Sequence, residues 1–199
     1  MARRRLVLAS ASPARLALLQ TAGFDPEVIV SGVDEDGFDH LPTSEAVATL
    51  AQRKAEAVSG LPEAAGAIVI GCDSLLDFDG ESRGKPSSPE QAVLWWKSMR
   101  GRSGLLLTGH FLVDCASGRS AAAVERTTVR FAEPSDDEIT AYVATGEPLR
   151  VAGAFTHRGL SGPFIAGMDG DPGNVTGLSL PLFRLLLADL DLTVMDLWG

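Results

Sequence analysis

The sequence has few residues of the kinds that cross-link or anchor small folds. Among its 199 residues there are two cysteines, three histidines and one tyrosine. Two thiols do not make the disulfide framework of a secreted domain. The histidines, His40, His110 and His157, are too isolated in sequence to supply the paired ligands of a zinc site. The expected location of the protein is therefore a reducing cytoplasm.

Long apolar runs are also missing. The nearest candidate, residues 64–72, contains Gly66 and Gly71 and falls short of the ~18 consecutive apolar residues of a membrane span. Near the N-terminus, three arginines precede only the short apolar run 6–9, whereas a signal peptide needs roughly 7–15 apolar residues. We expect neither a membrane segment nor an export signal.

Positive charge is scarce as well. The chain carries 17 Lys and Arg against 26 Asp and Glu, which gives a net charge of −9. DNA, RNA and anionic lipids bind through clustered Lys and Arg, so we expect no polynucleotide partner and no membrane-surface binding. The length and the 45% hydrophobic content are sufficient for a core without metal or disulfide cross-links. A single domain over residues 1–199 is the expectation.

What the sequence does contain is an alternation of strand and helix signals. In the first half the predicted strands cover residues 6–9, 28–30 and 67–72, and the predicted helices are capped by Ser12, by Thr43 or Ser44, and by Ser88. In the second half, two long strand-like runs indicate an antiparallel ribbon, and further helices follow; these segments are 105–115, 124–131, 135–145 and 182–190. The pattern predicts an α/β fold with a mixed sheet flanked by helices, arranged as two lobes.

The segment between the first strand and the first helix combines groups that suit a phosphate. Ser10 and Ser12 provide hydroxyls, and Arg15 provides a guanidinium at the start of the helix. Free backbone N–H groups and the helix dipole favour an anion at that end. An ordinary helix cap with a solvated Arg15 is the alternative, and these residues alone leave it open.

Asp73 is the second candidate, because it directly follows the most apolar predicted strand. A carboxylate at such a position is costly unless it is paired or bound to a metal. Ligands of α/β sheets also collect at the carboxyl ends of strands. A hairpin predicted at residues 79–80 can fold Lys85 back toward Asp73, and Lys54 and Glu35 add further charges. Taken singly, each is also consistent with a capping or surface residue.

In their order along the chain, these motifs resemble those of the Maf family of nucleotide pyrophosphatases. The matching segments are 8–15, 33–35, 71–74, 84–86, 108–109, 146–148, 152–155 and 174–178. The resemblance extends over residues 6–187, nearly the whole chain. Its specificity comes from the ordered set, because any one segment is a weak signal.

The resemblance implies an elongated mixed sheet flanked by helices, with two lobes and a central cleft. It also implies hydrolysis of a nucleoside triphosphate between the α and β phosphates, which releases a nucleoside monophosphate and pyrophosphate. Asp73 would be the general base, and Glu35 with Asp73 would place a divalent ion, Mg²⁺ or Mn²⁺. The resemblance assigns the phosphates to Arg15, Lys54 and Lys85, and the hydroxyls of Ser10 and Ser12 are expected to complete the nucleotide-binding set.

Three positions depart from the specificity patterns of that family. Ala14 stands where members have arginine or tryptophan, Ser74 where they have threonine or glutamine, and Arg158 where they have glutamine or glutamate. A guanidinium offers only donors, so Arg158 is expected to change recognition of the base, and the preferred base stays open. Ser179 replaces a proline of the pattern, which we interpret as a local backbone change.

A nucleotide-binding regulator of septum formation without turnover is the main alternative, because the family has also been associated with inhibition of septum formation. The joint presence of Asp73, Arg15 and Lys85 favours an enzyme, since a binder needs no base beside phosphate-binding cations. A homodimer is a further hypothesis, with residues 95–96 or 164–165 as candidate interface positions. Core packing is the expected role for one of the two tryptophans at 95–96.

Overall fold

The computed structural model describes residues 3–38 and 40–199, so residues 1, 2 and 39 of the predicted domain lie outside the described part. The strands are β1 (Leu6–Leu8), β2 (Glu27–Val28), β3 (Ile68–Phe78), β4 (Glu81–Arg83), β5 (Ser103–Asp114), β6 (Ser120–Phe131) and β7 (Ile165–Asp169). The helices are α1 (Pro13–Thr21), α2 (Thr43–Ser59), α3 (Pro89–Met99), α4 (Asp136–Ala144), α5 (Pro172–Thr176) and α6 (Leu180–Asp189).

The seven strands form one mixed sheet. Its order is β2-β1-β3-β5-β6-β7, and β4 pairs with β3 beside this path. β1 is parallel to β2 and β3, whereas the pairs among β3, β4, β5, β6 and β7 are antiparallel. The predicted antiparallel ribbon is β5 and β6, and the prediction of a mixed α/β sheet is confirmed. In the part of the chain that is described, no helix has both the length and the apolar composition needed to cross a bilayer.

Helix starts follow local chemistry in most cases. Ser12 Oγ accepts the N–H of Arg15 at the start of α1, as predicted, and Ser135 caps α4 through a reciprocal capping box. The predicted cap of α2 is wrong, because α2 follows Pro42 without a side-chain cap. Thr43 Oγ1 instead donates to Asp77 at 3.1 Å, which ties the helix to the β3–β4 hairpin.

β3 is longer than the sequence predicted, and this changes the place of Asp73. The prediction ended the strand at residue 72, but β3 continues to Phe78. β5 pairs with β3 without interruption from Ile68 to Asp77. Hydrogen bonds to β5 therefore keep the polar residues Asp73 and Ser74 in the strand, although the hydrophobic pattern of the sequence ends before them. Asp73 therefore lies in the middle of a buried strand and not at its carboxyl end.

One edge of β3 is open around Asp73. β1 pairs with residues 68–70 of β3 and β4 pairs with residues 76–78, and in the described ladders residues 71–75 have no strand partner on that edge. The edge between β1 and β4 is thus interrupted at the middle of the sheet. Neighbouring residues of a strand face opposite ways, so Asp73 and Ser74 lie on opposite faces of β3 at this gap.

The hydrophobic core is divided at the same point. One buried cluster contains Phe183 and the first part of β3 as far as Cys72. A second contains Trp96 and the last part of β3 from Leu76. Trp96 is fully buried, as expected for one of the two tryptophans. Residues 73–75 lie between these two clusters along β3, and a third cluster packs Val69 of β3 with Ala55 and Val58 of α2.

Helix α2 packs unusually close to the sheet because two glycines face it. A Cβ on Gly71 would fall 2.7 Å from Ala55 N and 2.9 Å from Ala55 Cβ, and it would also clash with the carbonyl of Ala51. A Cβ on Gly109 would fall 2.9 Å from Ala48 N. The absence of side chains at these positions lets the helix backbone rest directly on β3 and β5, and so brings the polar side of α2 to the open edge.

Candidate active site

Asp73 is the buried centre of the candidate site. Its exposed fraction is 7%, and it lies two residues beyond Gly71 on the face that α2 covers. Lys54 extends from α2 and places its Nζ 2.6 Å from Asp73 Oδ1. The same Nζ lies 2.6 Å from Glu35 Oε1, so one ammonium joins both carboxylates. Lys54 is itself only 6% exposed, which makes this contact well shielded from solvent.

Lys85 reaches the same group of charges from the other side of the gap. It follows β4, and its Nζ lies 3.9 Å from Glu35 Oε2. The predicted hairpin is present as the β3–β4 pair, and the described contact of Lys85 is with Glu35 and not with Asp73. Lys85 is mostly exposed, unlike Lys54, and its ammonium is free to turn toward a ligand in the gap.

The two carboxylates have opposite pKa directions. Burial raises the pKa of Asp73 above its ordinary value, although the charge and hydrogen bond of Lys54 oppose this. Burial also acts to raise the pKa of Glu35, but Lys54, Lys85 and Arg15 outweigh it and hold that pKa below the ordinary value. A buried carboxylate with a raised pKa is a better proton acceptor than an ordinary aspartate, which suits a general base.

Arg15 lies on the other side of β3 and is held from three directions. Its Nε donates to the carbonyl of Gly177 at 2.7 Å, and its Nη1 donates to Ser10 Oγ at 3.0 Å. Its Nη2 donates to Ser74 Oγ at 3.0 Å. With 9% exposure, Arg15 is not the solvated residue of the alternative interpretation. Ser12 is the cap of α1, and its part in nucleotide binding stays a prediction.

The proposed specificity residues differ in their surroundings. Ser74 uses its hydroxyl within the protein, because it also contacts Thr108 Oγ1 at 2.9 Å. Ala14 is exposed on α1, and Arg158 is exposed in the segment after Phe155. Ala14 has no polar side-chain atom, and Arg158 has no described side-chain hydrogen bond or ion pair to Asp73 or Arg15, so the roles of both remain predictions.

The segment that carries Arg158 nevertheless adjoins the gap. Gly153 N donates to the carbonyl of Gly84, the residue before Lys85, at 2.9 Å. Glu147 holds the far end of the segment, since its two carboxylate oxygens accept the N–H of Leu160 at 2.9 and 3.1 Å. These contacts fix a surface beside Lys85 against which the nucleobase of a bound nucleotide could lie.

His110, for which no role was predicted, is a buried side chain that hydrogen-bonds two backbone groups. Ser179 N donates to His110 Nε2 at 2.8 Å, and His110 Nδ1 lies 3.0 Å from the carbonyl of Thr108. Because Nε2 accepts, Nδ1 carries the proton and donates to that carbonyl. A proline at 179 has no N–H to give, so the departure at Ser179 was the sequence signal for this contact.

The protonation of His110 should make the fold sensitive to acid. Burial lowers the pKa of His110 to about 4, with the Thr108 carbonyl and Asp171 opposing the effect and Arg15 reinforcing it. The unfolded chain binds a proton near pH 6.5 and the folded chain does not, so stability is lost as the pH falls from about 6.5 to about 4, by ~3 kcal/mol in all.

Urea denaturation of the wild type and His110→Gln at pH 7 and pH 4.5 tests this expectation. Glutamine can accept the N–H of Ser179 but does not titrate. We expect the variant to lose about 2–3 kcal/mol less stability than the wild type between the two pH values. Equal losses in both proteins would show that His110 does not carry the effect.

Two carboxylates are the donors that the candidate site offers to a divalent ion. Glu35 and Asp73 offer the hard oxygen ligands that Mg²⁺ and Mn²⁺ prefer. Within residues 3–38 and 40–199 no group of three or more His, Cys, Asp or Glu side chains is placed to hold a metal. Glu35 and Asp73 are thus the two carboxylates that would hold such an ion, and the described residues show no complete metal centre.

Comparison with known proteins decides the family. The family model described as "Maf-like protein" matches residues 5–190. The chain belongs to the Maf family. The Maf assignment that the motifs suggested is therefore confirmed, together with the mixed α/β fold expected for it.

Several relatives are similar over almost their full length. A protein of Streptomyces coelicolor is 60% identical over 197 residues, covering 99% of this chain and 96% of its own. One of Streptomyces avermitilis is 59% identical, covering 98% and 95%. One of Gloeothece citriformis is 50% identical, covering 96% and 97%. Each of these Maf relatives bears the name nucleoside triphosphate pyrophosphatase.

Proposed function

We propose that this Maf protein is a nucleoside triphosphate pyrophosphatase, a hydrolase that acts on an acid anhydride. It cleaves a nucleoside triphosphate between the α and β phosphates and releases a nucleoside monophosphate and pyrophosphate. The observation that carries the proposal is the buried Asp73 at the open edge of β3, where Lys54 contacts it, Lys85 contacts the adjoining Glu35, and Arg15 contacts Ser74 on the opposite face of the strand. The names of the full-length relatives support the same activity.

Asp73 acts as the general base in this proposal. It accepts a proton from the attacking water, and its burial and raised pKa favour that transfer. Lys54 holds the carboxylate in place through the 2.6 Å contact with Oδ1. The Cys72 thiol next to it is not a competing nucleophile, because burial raises the pKa of Cys72 to about 12.

The cations supply the phosphate site. Lys54, Lys85 and Arg15 provide positive charge at fixed positions, and such charge stabilises the negative charge that develops on phosphoryl oxygens. Ser10 adds a hydroxyl that already orients Arg15. Mg²⁺ or Mn²⁺ held by Glu35 and Asp73 would neutralise further charge on those oxygens. The triphosphate is thus bound by local contacts in a chain whose net charge is negative.

The cleavage position can be tested directly. The purified protein is incubated with Mg²⁺ and a panel of canonical and modified nucleoside triphosphates in ¹⁸O-labelled water. The products are then separated and analysed by mass spectrometry. We expect nucleoside monophosphate and pyrophosphate in equal amounts, with the label in one of them. Orthophosphate with nucleoside diphosphate would refute the cleavage between α and β phosphates.

The same panel tests the alternative function. Tight binding of a nucleotide without turnover for any member of the panel would favour a nucleotide-binding regulator of septum formation.

A cytoplasmic location belongs to the present proposal and is supported by the two free cysteines, Cys72 and Cys115, which suit a reducing compartment.

Arg158 is proposed to take part in recognition of the base. We expect Arg158→Gln to change the order of preference among nucleoside triphosphates, with ratios of kcat/KM shifted by about tenfold, because glutamine can both donate and accept hydrogen bonds. The matched control is Arg184→Gln, which neutralises an exposed arginine on α6. An unchanged order of preference in Arg158→Gln would remove this residue from the site.

A further inference from the structure

Hydrogen bonds around Arg15 form a closed ring through a threonine that has no assigned role. Ser74 Oγ accepts from Arg15 and lies 2.9 Å from Thr108 Oγ1. Thr108 Oγ1 in turn lies 3.1 Å from the carbonyl oxygen of Asn174. Asn174 and Gly177 belong to the same helical turn, because Gly177 N donates to Asn174 O at 2.9 Å. The carbonyl of Gly177 completes the ring by accepting Arg15 Nε.

The direction of each bond in the ring follows from the donors available. A carbonyl only accepts, so the Thr108 hydroxyl proton must point to Asn174 O. The Thr108 oxygen then accepts from the Ser74 hydroxyl, and the Ser74 oxygen accepts from Arg15 Nη2. Thr108 and Asn174 are both 0% exposed, so water cannot replace either residue as a hydrogen-bond partner of the other. The Thr108 hydroxyl thereby orients Ser74 directly and connects it to the turn that holds Gly177, and these are two of the three contacts of Arg15.

We propose that Thr108 is a positioning residue for Arg15. An arginine has five N–H donors, and the contacts to Gly177, Ser10 and Ser74 use three of them. One N–H on each terminal nitrogen is left, and these two groups can bind a phosphate in bidentate fashion. The part of the inference that concerns phosphate rests on the proposed function, whereas the orientation of Arg15 does not.

The turn that contacts Arg15 is fixed in other ways, so Thr108 sets orientation more than folding. The Asn174 amide donates to the carbonyl of Leu106 at 3.2 Å and to Thr127 Oγ1 at 3.0 Å. Gly177 has a φ of 111°, and a Cβ there would lie 2.9 Å from Arg15 Nε, so only glycine permits this approach. Removal of the Thr108 hydroxyl therefore leaves the turn in place but takes away the acceptor of the Ser74 hydroxyl, so Ser74 no longer has a fixed orientation and the guanidinium moves more freely about its contacts to Gly177 and Ser10.

The proposal is tested with Thr108→Val and with Thr108→Ser, which keeps the hydroxyl. Hydrogen exchange of the Arg15 Nε–H is followed by NMR, and the affinity for inorganic tripolyphosphate with Mg²⁺ is measured by calorimetry. We expect the exchange of that N–H to accelerate at least tenfold in Thr108→Val, and the affinity to fall about tenfold. Thr108→Ser should restore both values to within about twofold of the wild type.

A double-mutant cycle separates positioning from a general effect on the fold. In an Arg15→Lys background, Thr108→Val should change the affinity for tripolyphosphate less than twofold, because its effect passes through the guanidinium. A full tenfold loss in that background, or unchanged exchange of the Arg15 Nε–H in Thr108→Val, would overturn the proposal. If Thr108→Val does not fold, Ser74→Ala opens one arm of the ring and must accelerate the same exchange.

These measurements do not depend on turnover. The exchange rate reports on Arg15 in the free protein, and tripolyphosphate binding needs no cleavage of a nucleotide. Accelerated exchange without any binding of tripolyphosphate would keep Thr108 as the residue that orients Arg15 and would refute the phosphate role of Arg15. If no nucleotide of the panel is hydrolysed, the proposed function is refuted, but the exchange rate at Arg15 still decides whether Thr108 is a positioning residue.

Discussion

Asp73→Asn is expected to lower kcat for nucleoside triphosphate hydrolysis by about 1000-fold, within the range that general-base catalysis contributes. Asparagine keeps the shape of the side chain, but its amide cannot accept the proton of the attacking water. Lys54 retains its 2.6 Å contact with Glu35, so its ammonium stays in place to bind a phosphate. At saturating Mg²⁺, KM should therefore change little, by a factor of about three at most, because the asparagine oxygen can still ligate the ion. Steady-state kinetics with the best substrate of the panel measures both values.

Asp79→Asn provides the matched control for this variant. Asp79 lies at the turn of the hairpin that contains β3 and β4, and its carboxylate accepts from Arg102 at 2.7 Å. Its φ is 56°, a conformation that asparagine tolerates well. The control loses one carboxylate far from any proposed chemistry, and its kcat should stay within about twofold of the wild type. More than a tenth of the wild-type kcat in Asp73→Asn would exclude Asp73 as the base.

Gly71→Ala is expected to cause the largest loss of stability, about 3 kcal/mol. The added methyl group would overlap the backbone of Ala51 and lie 2.7 Å from Ala55 N, and backbone cannot rotate away as a side chain can. Helix α2 must then move off β3 and carry Lys54 away from Asp73. Chemical denaturation measures the loss of stability, and kcat should fall together with it because the base loses its cation.

Gly60→Ala tests whether the effect belongs to the contact and not to the residue type. Gly60 ends the same helix with a φ of −77°, and a Cβ there would meet only Glu56 O at 3.6 Å. Alanine also has fewer unfolded conformations than glycine, so the stability should change by less than about 1 kcal/mol, in the stabilising direction. Equal destabilisation of the two variants would contradict the close packing of α2 on Gly71.

The parts of the fold that were predicted well are those set by neighbouring residues. Ser12 before Pro13 and Ser135 three residues before Glu138 cap their helices through contacts within one turn, so spacing alone identifies them. The end of β3 could not be found in this way. Asp73 and Ser74 are strand residues because β5 pairs with them, and β5 lies more than thirty residues away.

The candidate site follows the same division. The motifs placed Asp73, Lys54 and Lys85 among the functional residues, but their order in space depends on α2 resting on two glycines of different strands. His110 and Ser179 are 69 positions apart, and their hydrogen bond exists only because α6 begins beneath β5. Contacts of this range come from packing, which residue periodicity does not encode.

The contact between one ammonium and two carboxylates also bears on how salt should act on this protein. Lys54, Lys85 and Arg15 with Asp73 and Glu35 make a group with one net positive charge, inside a chain whose total is −9. Salt at ~0.1 M screens charges that are more than about 10 Å apart, so it weakens the repulsion between the acidic surface and a distant nucleotide. The five-residue group, in which Lys54, Asp73 and Arg15 are buried, acts at contact range, where screening is weak. Moderate ionic strength therefore removes the repulsion before it removes the attraction, the reverse of the behaviour of proteins that bind nucleic acid.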